Sequence, residues 1–398
     1  MRIENPLWGP EWPSVRARWP LDPERVHLNH GSFGAVPTAV LDHQEDLRRR
    51  VERNPVSELW LTFTGGREEA RHAAAAFLGA DPDGFAFVPN ATTGVNAVLS
   101  SLALGAHDEV LITDHAYGAV RYAVERACAK AGATVVVQPV PLPPSAEELS
   151  DAVLAGVTAH TRLAVVDQIA SPTGLRFPVE RLVVELRSRG VLSLVDGAHA
   201  PGMIDVDLTA VDPDFWTGNF HKWCCAPLGS AGLWVRGEHR PWVAPPVTSW
   251  FVGEPYPASF RWIGTDDYSA YEAVPAALAF MADLGWDRVR THNRALAAYG
   301  RDVVARALGT EPPIPPGVDG LVEAMTLVAL PPGVAETEDA AVALRLRIAD
   351  ELGIEALPLA WNGSGYLRLS AQAYNAPANY ERLAEGLPGL LARTSPSS

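Results

Sequence analysis

Two short stretches carry side chains that belong together chemically. Val195-Asp196-Gly197-Ala198-His199 follows the apolar run Val191-Leu192-Ser193-Leu194-Val195, and Thr217-Gly218-Asn219-Phe220-His221-Lys222-Trp223 follows Asp214-Phe215-Trp216. Each run reads as a buried strand, so an acid and a lysine fall at neighbouring strand ends, where an α/β sheet collects its ligands. A lysine amine forms a Schiff base with an aldehyde, and a carboxylate at contact favours a protonated ring nitrogen by ~1–3 pKa units. Pyridoxal phosphate needs both, because its protonated ring is the electron sink for charge developing at a substrate Cα. Taken singly, either residue reads equally well as half of a surface salt bridge. The ordered pair is what points to the cofactor.

Three further stretches offer chemistry. Asn90-Ala91-Thr92-Thr93-Gly94 lies between a strand-like and a helical run. A helix start presents free N–H groups and the positive end of a dipole, which suits a phosphate. Thr92 and Thr93 are therefore candidate phosphate ligands, the alternative being a plain threonine cap. Arg368 sits in the apolar run Tyr366-Leu367-Arg368-Leu369. A buried guanidinium without a partner is costly, and its planar fork suits a carboxylate better than a lysine would. Finally, the glycines of His27-Leu28-Asn29-His30-Gly31-Ser32-Phe33-Gly34 allow tight backbone near a ligand or simply a turn.

The elements that must position these residues alternate. Apolar runs occur at Phe85–Val88, Val110–Thr113, Thr134–Val137, Leu163–Val166, Leu192–Val195, Asp214–Trp216 and Leu233–Val235. Helical patterns such as Thr93–Leu102, Ala119–Ala131 and Val179–Arg189 separate most of them. This predicts an α/β fold with a mostly parallel sheet of about seven strands flanked by helices. Before it come an irregular arm with Trp8, Trp12 and Trp19 and helices from Thr38 and over Gly66–Leu78. The Trp- and Pro-rich stretch 241–262 reads as a long ordered loop, of the kind that is usually functional. Helices over Tyr271–Leu284 and Trp286–Leu308 and a proline-rich connector at 311–316 follow. Strands near Ala324–Ala329 and Tyr366–Leu369, a loop from Glu355 to Tyr366, and helices near Ala340–Leu352 and Asn379–Leu391 make a smaller α+β lobe before a 394–398 tail. The expected division is an arm, 1–35, joining the small domain; a large domain, 36–270; and a small domain, 271–398.

At 398 residues the chain exceeds one ordinary core. Hydrophobic content of 47% with 20% charged residues is that of a soluble globular enzyme. A net charge of −15 without a basic tract disfavours nucleic acid and anionic membranes as partners. The start lacks the apolar run of a signal peptide, and no stretch approaches the ~18 apolar residues of a membrane span. Only Cys128, Cys224 and Cys225 occur, too few for a disulfide framework. A cytoplasmic protein with no metal site is expected.

DGAHAPG followed by GNFHKW resembles the class V aminotransferase group of fold-type I pyridoxal phosphate enzymes, and within it the branch holding isopenicillin N epimerase and the hercynylcysteine sulfoxide lyases. The likeness runs from about Leu28 to the last helix. It implies that Lys222 is the Schiff-base lysine, Asp196 the ring-nitrogen partner and His221 a phosphate contact, and it favours the phosphate role for Thr92 and Thr93. Either His115 or Tyr117 would stack on the cofactor ring, and Tyr117 is the one expected in this branch, its hydroxyl placed to move a proton. Ser171 takes the place of the asparagine that relatives direct at the cofactor's phenolic oxygen. His199 would bond that oxygen, and Asn219 would reach the phosphate. Ile263-Gly264-Thr265 matches a segment that relatives lend to the partner subunit's phosphate, so a homodimer with shared sites follows. Arg368 would grip the substrate α-carboxylate, and the segment with Asn29 and His30 would enter the site.

The resemblance implies that Lys222 removes the Cα proton of an amino acid. Loss of a β-sulfur group would make the chain a C–S β-lyase acting on an S-substituted cysteine or its sulfoxide, in ergothioneine or natural-product assembly. That reading comes first. Epimerisation is the alternative, needing a donor opposite Lys222 for which Tyr117 stands alone. Lincosamide-type processing of a cysteine S-conjugate and transamination follow. No cysteine lies between Glu355 and Tyr366, where cysteine desulfurases carry their nucleophile. A non-catalytic binding protein would have lost Lys222, and a nicotinamide enzyme would carry G-x-G-x-x-G after its first strand.

Overall fold

The computed structural model describes residues 9–62, 65–142, 145–314 and 320–393. Trp8 of the arm, Pro315 and Pro316 of the connector, and the 394–398 tail lie outside the described residues. In chain order the strands are β1 (Val26–His27), β2 (Phe85–Val88), β3 (Glu109–Thr113), β4 (Thr134–Gln138), β5 (Thr161–Asp167), β6 (Leu192–Asp196), β7 (Phe215–Asn219), β8 (Ala231–Val235), β9 (Met325–Ala329), β10 (Ile354–Glu355), β11 (Leu357–Trp361) and β12 (Ser364–Ser370). The chain forms two compact units, one of residues 36–171 and 177–283, the other of residues up to 35, 172–176 and from 284 onward.

The larger unit holds a seven-stranded sheet in the order β2-β8-β7-β6-β5-β3-β4. Neighbours from β7 through β4 run parallel, and β8 pairs antiparallel with both β7 and β2. Strands β7 and β8 are buried along their whole length, as expected where helices cover both faces. Helices Ala91–Ser101, Gly118–Ala131 and Val179–Ser188 are among those that cover it. The core takes Val95, Val98, Ile112, Leu163, Val165, Leu194, Phe215 and Leu233. The register pairs Asp167 with Asp196 and Asp196 with Thr217. The acid-bearing and lysine-bearing ends of β5, β6 and β7 therefore come out on one edge.

Part of the stretch 241–262 is core: Val243, Tyr256 and Phe260 are buried, and the Tyr256 hydroxyl donates to Leu233 O at 2.6 Å. Trp250 stands out at 88% exposed. With Pro55, Val56, Leu59, Trp60, Phe251 and Trp262 it lines an apolar groove of about 470 Å³.

In the smaller unit β11-β12-β9 form an antiparallel sheet and β1 pairs parallel with β10. Helices Trp286–Leu308 and Pro377–Ala392 contribute Leu296, Tyr380 and Leu387 to a core with Val328, Leu367 and Leu369. The arm is fastened here: Trp19 Nε1 donates to Ala35 O at 3.2 Å and Trp12 Nε1 to Asn375 O at 3.1 Å. Two expectations differ from what is observed. The stretch Glu355–Tyr366, read as a loop, is mostly a β-hairpin turned at Asn362 and Gly363, both at positive φ. The division between units falls at 283/284, so residues 271–283 go with the large unit through helix Val274–Leu284.

Candidate active site

Asp196 ends β6, and Lys222 follows β7 in a tight turn closed by Cys225 N to Lys222 O (3.0 Å) and Ala226 N to Phe220 O (3.2 Å). Trp216, fully buried on β7, packs against Gly197 and Gly218, and its Nε1 donates to Gln168 Oε1 at 2.9 Å. A Cβ on Gly197 would stand 2.4 Å from this indole, and one on Gly218 2.3 Å. Asp196 Oδ1 accepts the Ala198 N–H at 2.9 Å. Its other carboxylate oxygen has no hydrogen bond among the described residues. Burial pushes the Asp196 carboxyl up, while the Ala198 N–H and Lys222 hold it down. Asp167 is buried beside it. Burial and the neighbouring Asp196 push the Asp167 carboxyl well up too.

Lys222 Nζ lies 3.1 Å from His199 Nε2. Trp223 Nε1 donates to His199 Nδ1 at 3.3 Å. His221, next to the lysine, sets its Nδ1 2.9 Å from the carbonyl oxygen of Ser230. Burial and the nearby Lys222 lower its pKa to about 4, so the ring is neutral near pH 7.

Helix Ala91–Ser101 is capped by Asn90, not by a threonine: Asn90 Oδ1 accepts Thr93 N at 2.8 Å and Thr93 Oγ1 at 3.0 Å. Asn219 Oδ1 accepts Ala91 N at 2.9 Å and so ties the helix start to the end of β7. This leaves the Thr92 N–H and hydroxyl without a partner among the described residues. Gly94 lets the helix press on the sheet, since a Cβ there would be 2.2 Å from Thr217 Oγ1.

His115 is fully buried, its Nε2 donating to Val140 O at 2.9 Å and its ring edge-on to Phe177. The expectation that it serves a cofactor meets a ring with no accessible surface. Tyr117, at the N-cap of helix Gly118–Ala131, is 48% exposed. Ser171 lies half-buried in the turn after β5. Thr265 is exposed beside Asp267, which pairs with Arg48 at 2.7 Å.

In the smaller unit Arg368 is buried on β12, and its Nη2 donates to Asn29 Oδ1 at 3.2 Å and Ser32 Oγ at 3.1 Å. These acceptors are neutral. His30, expected in the substrate's path, is completely buried. Its Nδ1 meets the Tyr374 hydroxyl at 2.8 Å and its Nε2 the Gln372 amide at 3.2 Å, so the ring holds the arm in place. Residues that the sequence reading passed over are Asp167, Gln168, Trp216, Trp223 and Ser230. An acid ending the apolar run 163–166 was the available sign for Asp167; the two indoles gave none.

The class V aminotransferase model matches residues 33–312. The chain belongs to the class V aminotransferase family. It is 36% identical to isopenicillin N epimerase of Amycolatopsis lactamdurans over 95% of this chain and 98% of that protein. It is 31% identical to a putative L-cysteine desulfhydrase of Oryza sativa, over 92% of this chain and 83% of the relative. Among solved structures it resembles a C-DES mutant with glycine covalently linked to its pyridoxal phosphate, with a TM-score of 0.77 at 20% identity, covering 94% of this chain and 98% of that one. The class V chain is a pyridoxal phosphate enzyme of the lyase or epimerase kind, on the fold-type I architecture. Its residues fit the group: an acid oxygen with an open valence beside a lysine amine suits ring nitrogen and aldehyde, and the unused Thr92 donors at a helix start suit the phosphate. No helix among the described residues is long and apolar enough to cross a membrane.

Proposed function

We propose that this enzyme eliminates a sulfur leaving group from Cβ of an S-substituted cysteine or cysteine sulfoxide. Pyridoxal phosphate, when bound, supplies the electron-poor ring that makes the Cα–H of an attached amino acid acidic. Lys222 would hold it through Nζ, Asp196 at the ring nitrogen and His199 and Ser171 at the phenolic oxygen. Tyr117 would lie on the ring face, and Thr92, Thr93, Asn219 and His221 would take the phosphate. Thr265 of a second copy would complete the phosphate cradle, which makes the working form a homodimer. Arg368 binds the substrate carboxylate, with Asn29 and Ser32 orienting the guanidinium. Lys222 would take the Cα proton. The sulfur departs with the electron pair of the C–S bond, and hydrolysis leaves pyruvate and ammonia.

The observation that carries this reading is the single anchored proton carrier. Lys222 is bonded to His199, whereas the half-exposed Tyr117 hydroxyl has no hydrogen bond among the described residues. Elimination needs one base at Cα; epimerisation needs a second, held on the opposite face. The 36% identity to an epimerase favours epimerisation as the second reading. A panel of cysteine S-conjugates, assayed for pyruvate, free thiol and D-isomer, separates the two. Pyruvate with stoichiometric thiol is expected; D-isomer without pyruvate overturns elimination, and a keto acid that keeps its sulfur would mean transamination or deamination. Lys222→Ala should abolish the visible absorbance of the loaded protein.

A further inference from the structure

Trp223 is not itself among the residues assigned above to the cofactor or the substrate, yet it decides what the neighbouring imidazole can do. An indole N–H only donates. Its bond to His199 Nδ1 therefore claims that nitrogen's lone pair, and the neutral ring must carry its proton on Nε2. An imidazolium would point a second N–H at the indole. Nε2–H is then the donor in the 3.1 Å contact with Lys222 Nζ, and the amine must accept with a lone pair. An ammonium there would face an N–H head-on. Donors thus run one way, from indole to imidazole to amine.

The surroundings fix this order. Trp223 and His199 are each 1% exposed. The turn after His199 is closed by Met203 N to Ala200 O at 3.1 Å, and Gly202, at φ +87°, lies so near the Trp223 backbone that a Cβ would stand 2.6 Å away. Charged and titratable groups acting on the amine include Asp196, which favours the ammonium, and His221, neutral and bonded to Ser230. Asp167 lies beyond Asp196, its carboxyl pushed up by burial and by Asp196.

We propose that Trp223 is a positioning residue that locks His199 as a neutral Nε2–H donor and thereby presents Lys222 as a free base, ready to capture an aldehyde. The proposal rests on the assignment of Lys222 as the cofactor lysine. A lysine amine ordinarily titrates near ~10.4, so an unassisted one is almost wholly charged at neutral pH.

The test measures the rate at which the full-length protein, freed of cofactor, captures pyridoxal phosphate between pH 6 and 10, followed by visible absorbance. Trp223→Phe keeps the ring and removes the N–H. Its capture profile should move to higher pH by about one unit, which means roughly tenfold slower capture at pH 7. His199→Gln in the Trp223→Phe background restores a neutral donor and should return the profile toward wild type. An unshifted profile in Trp223→Phe overturns the proposal. Capture that persists in Lys222→Ala instead removes the lysine assignment beneath it. Should Trp223→Phe fail to fold, nitrogen-15 spectra of the wild-type His199 ring decide the matter. An Nε2–H tautomer at pH 7 supports the lock, and an Nδ1–H tautomer or an imidazolium refutes it.

Discussion

Asp196 and Arg368 are the two residues whose single atoms carry the most weight. On the proposed assignment the second carboxylate oxygen of Asp196 would meet a cationic ring nitrogen, and a neutral amide cannot hold that charge. Asp196→Asn should keep the cofactor yet lower turnover by about 100-fold or more, the scale of losing one preorganised electrostatic partner; absorbance and steady-state rates measured side by side check this. Arg368→Lys keeps the charge and loses the fork. KM for an α-amino acid should rise by about tenfold or more while kcat changes less. Both residues were visible in the sequence because an acid or an arginine beside an apolar run is chemically conspicuous. Trp216 and Trp223 were not, since a tryptophan next to a strand looks the same whether it fills space or directs a proton. His30 is the reverse case: its chemistry was plain in the sequence, and only the fold shows its ring nitrogens bonded to Tyr374 and Gln372.

At the level of elements, alternation of apolar runs and helical patterns was enough to predict the seven strands of the large sheet, several to within a residue or two. The hairpin of β11 and β12 escaped because Pro358 argues against a strand, and proline is tolerated here only because β11 is the edge of its sheet. Asn362-Gly363 was its turn signal. Helix Ala91–Ser101 makes the sharpest prediction of this kind. Its start is tied to β7 by Asn219 and its body pressed on Thr217 at Gly94. Gly94→Ala must push the helix off the sheet, costing about 1–3 kcal/mol. It should also loosen phosphate retention, seen as lower Tm together with faster cofactor loss on dialysis. A fall in Tm with retention unchanged would separate the helix start from the phosphate.

Across the molecule, pH acts on each unit through a buried imidazole. His221 in the large unit and His292 in the small one are both lowered to about 4, chiefly by burial. An unfolded histidine binds its proton near 6.5, so the unfolded chain holds more protons between pH 6.5 and 4, and stability falls as pH drops through that window. Asp167, raised by burial, works the other way in the large unit. The small unit gives the cleaner test: His292→Gln should remove up to about 3 kcal/mol of the loss at pH 4, read from Tm against pH. If a second copy completes each phosphate cradle, Thr265→Ala should weaken cofactor retention in a sedimenting dimer, and an active wild-type monomer would end that idea. Trp216 adds a constraint on how such an enzyme can change over time. One indole wedges against Gly197, next to the acid, and Gly218, on the strand that leads to the amine, so the backbones carrying those two groups share a mounting. A descendant that needs a wider or narrower gap between them cannot shift either alone; new specificity has to be found in the surrounding loops while this bracket stays as it is.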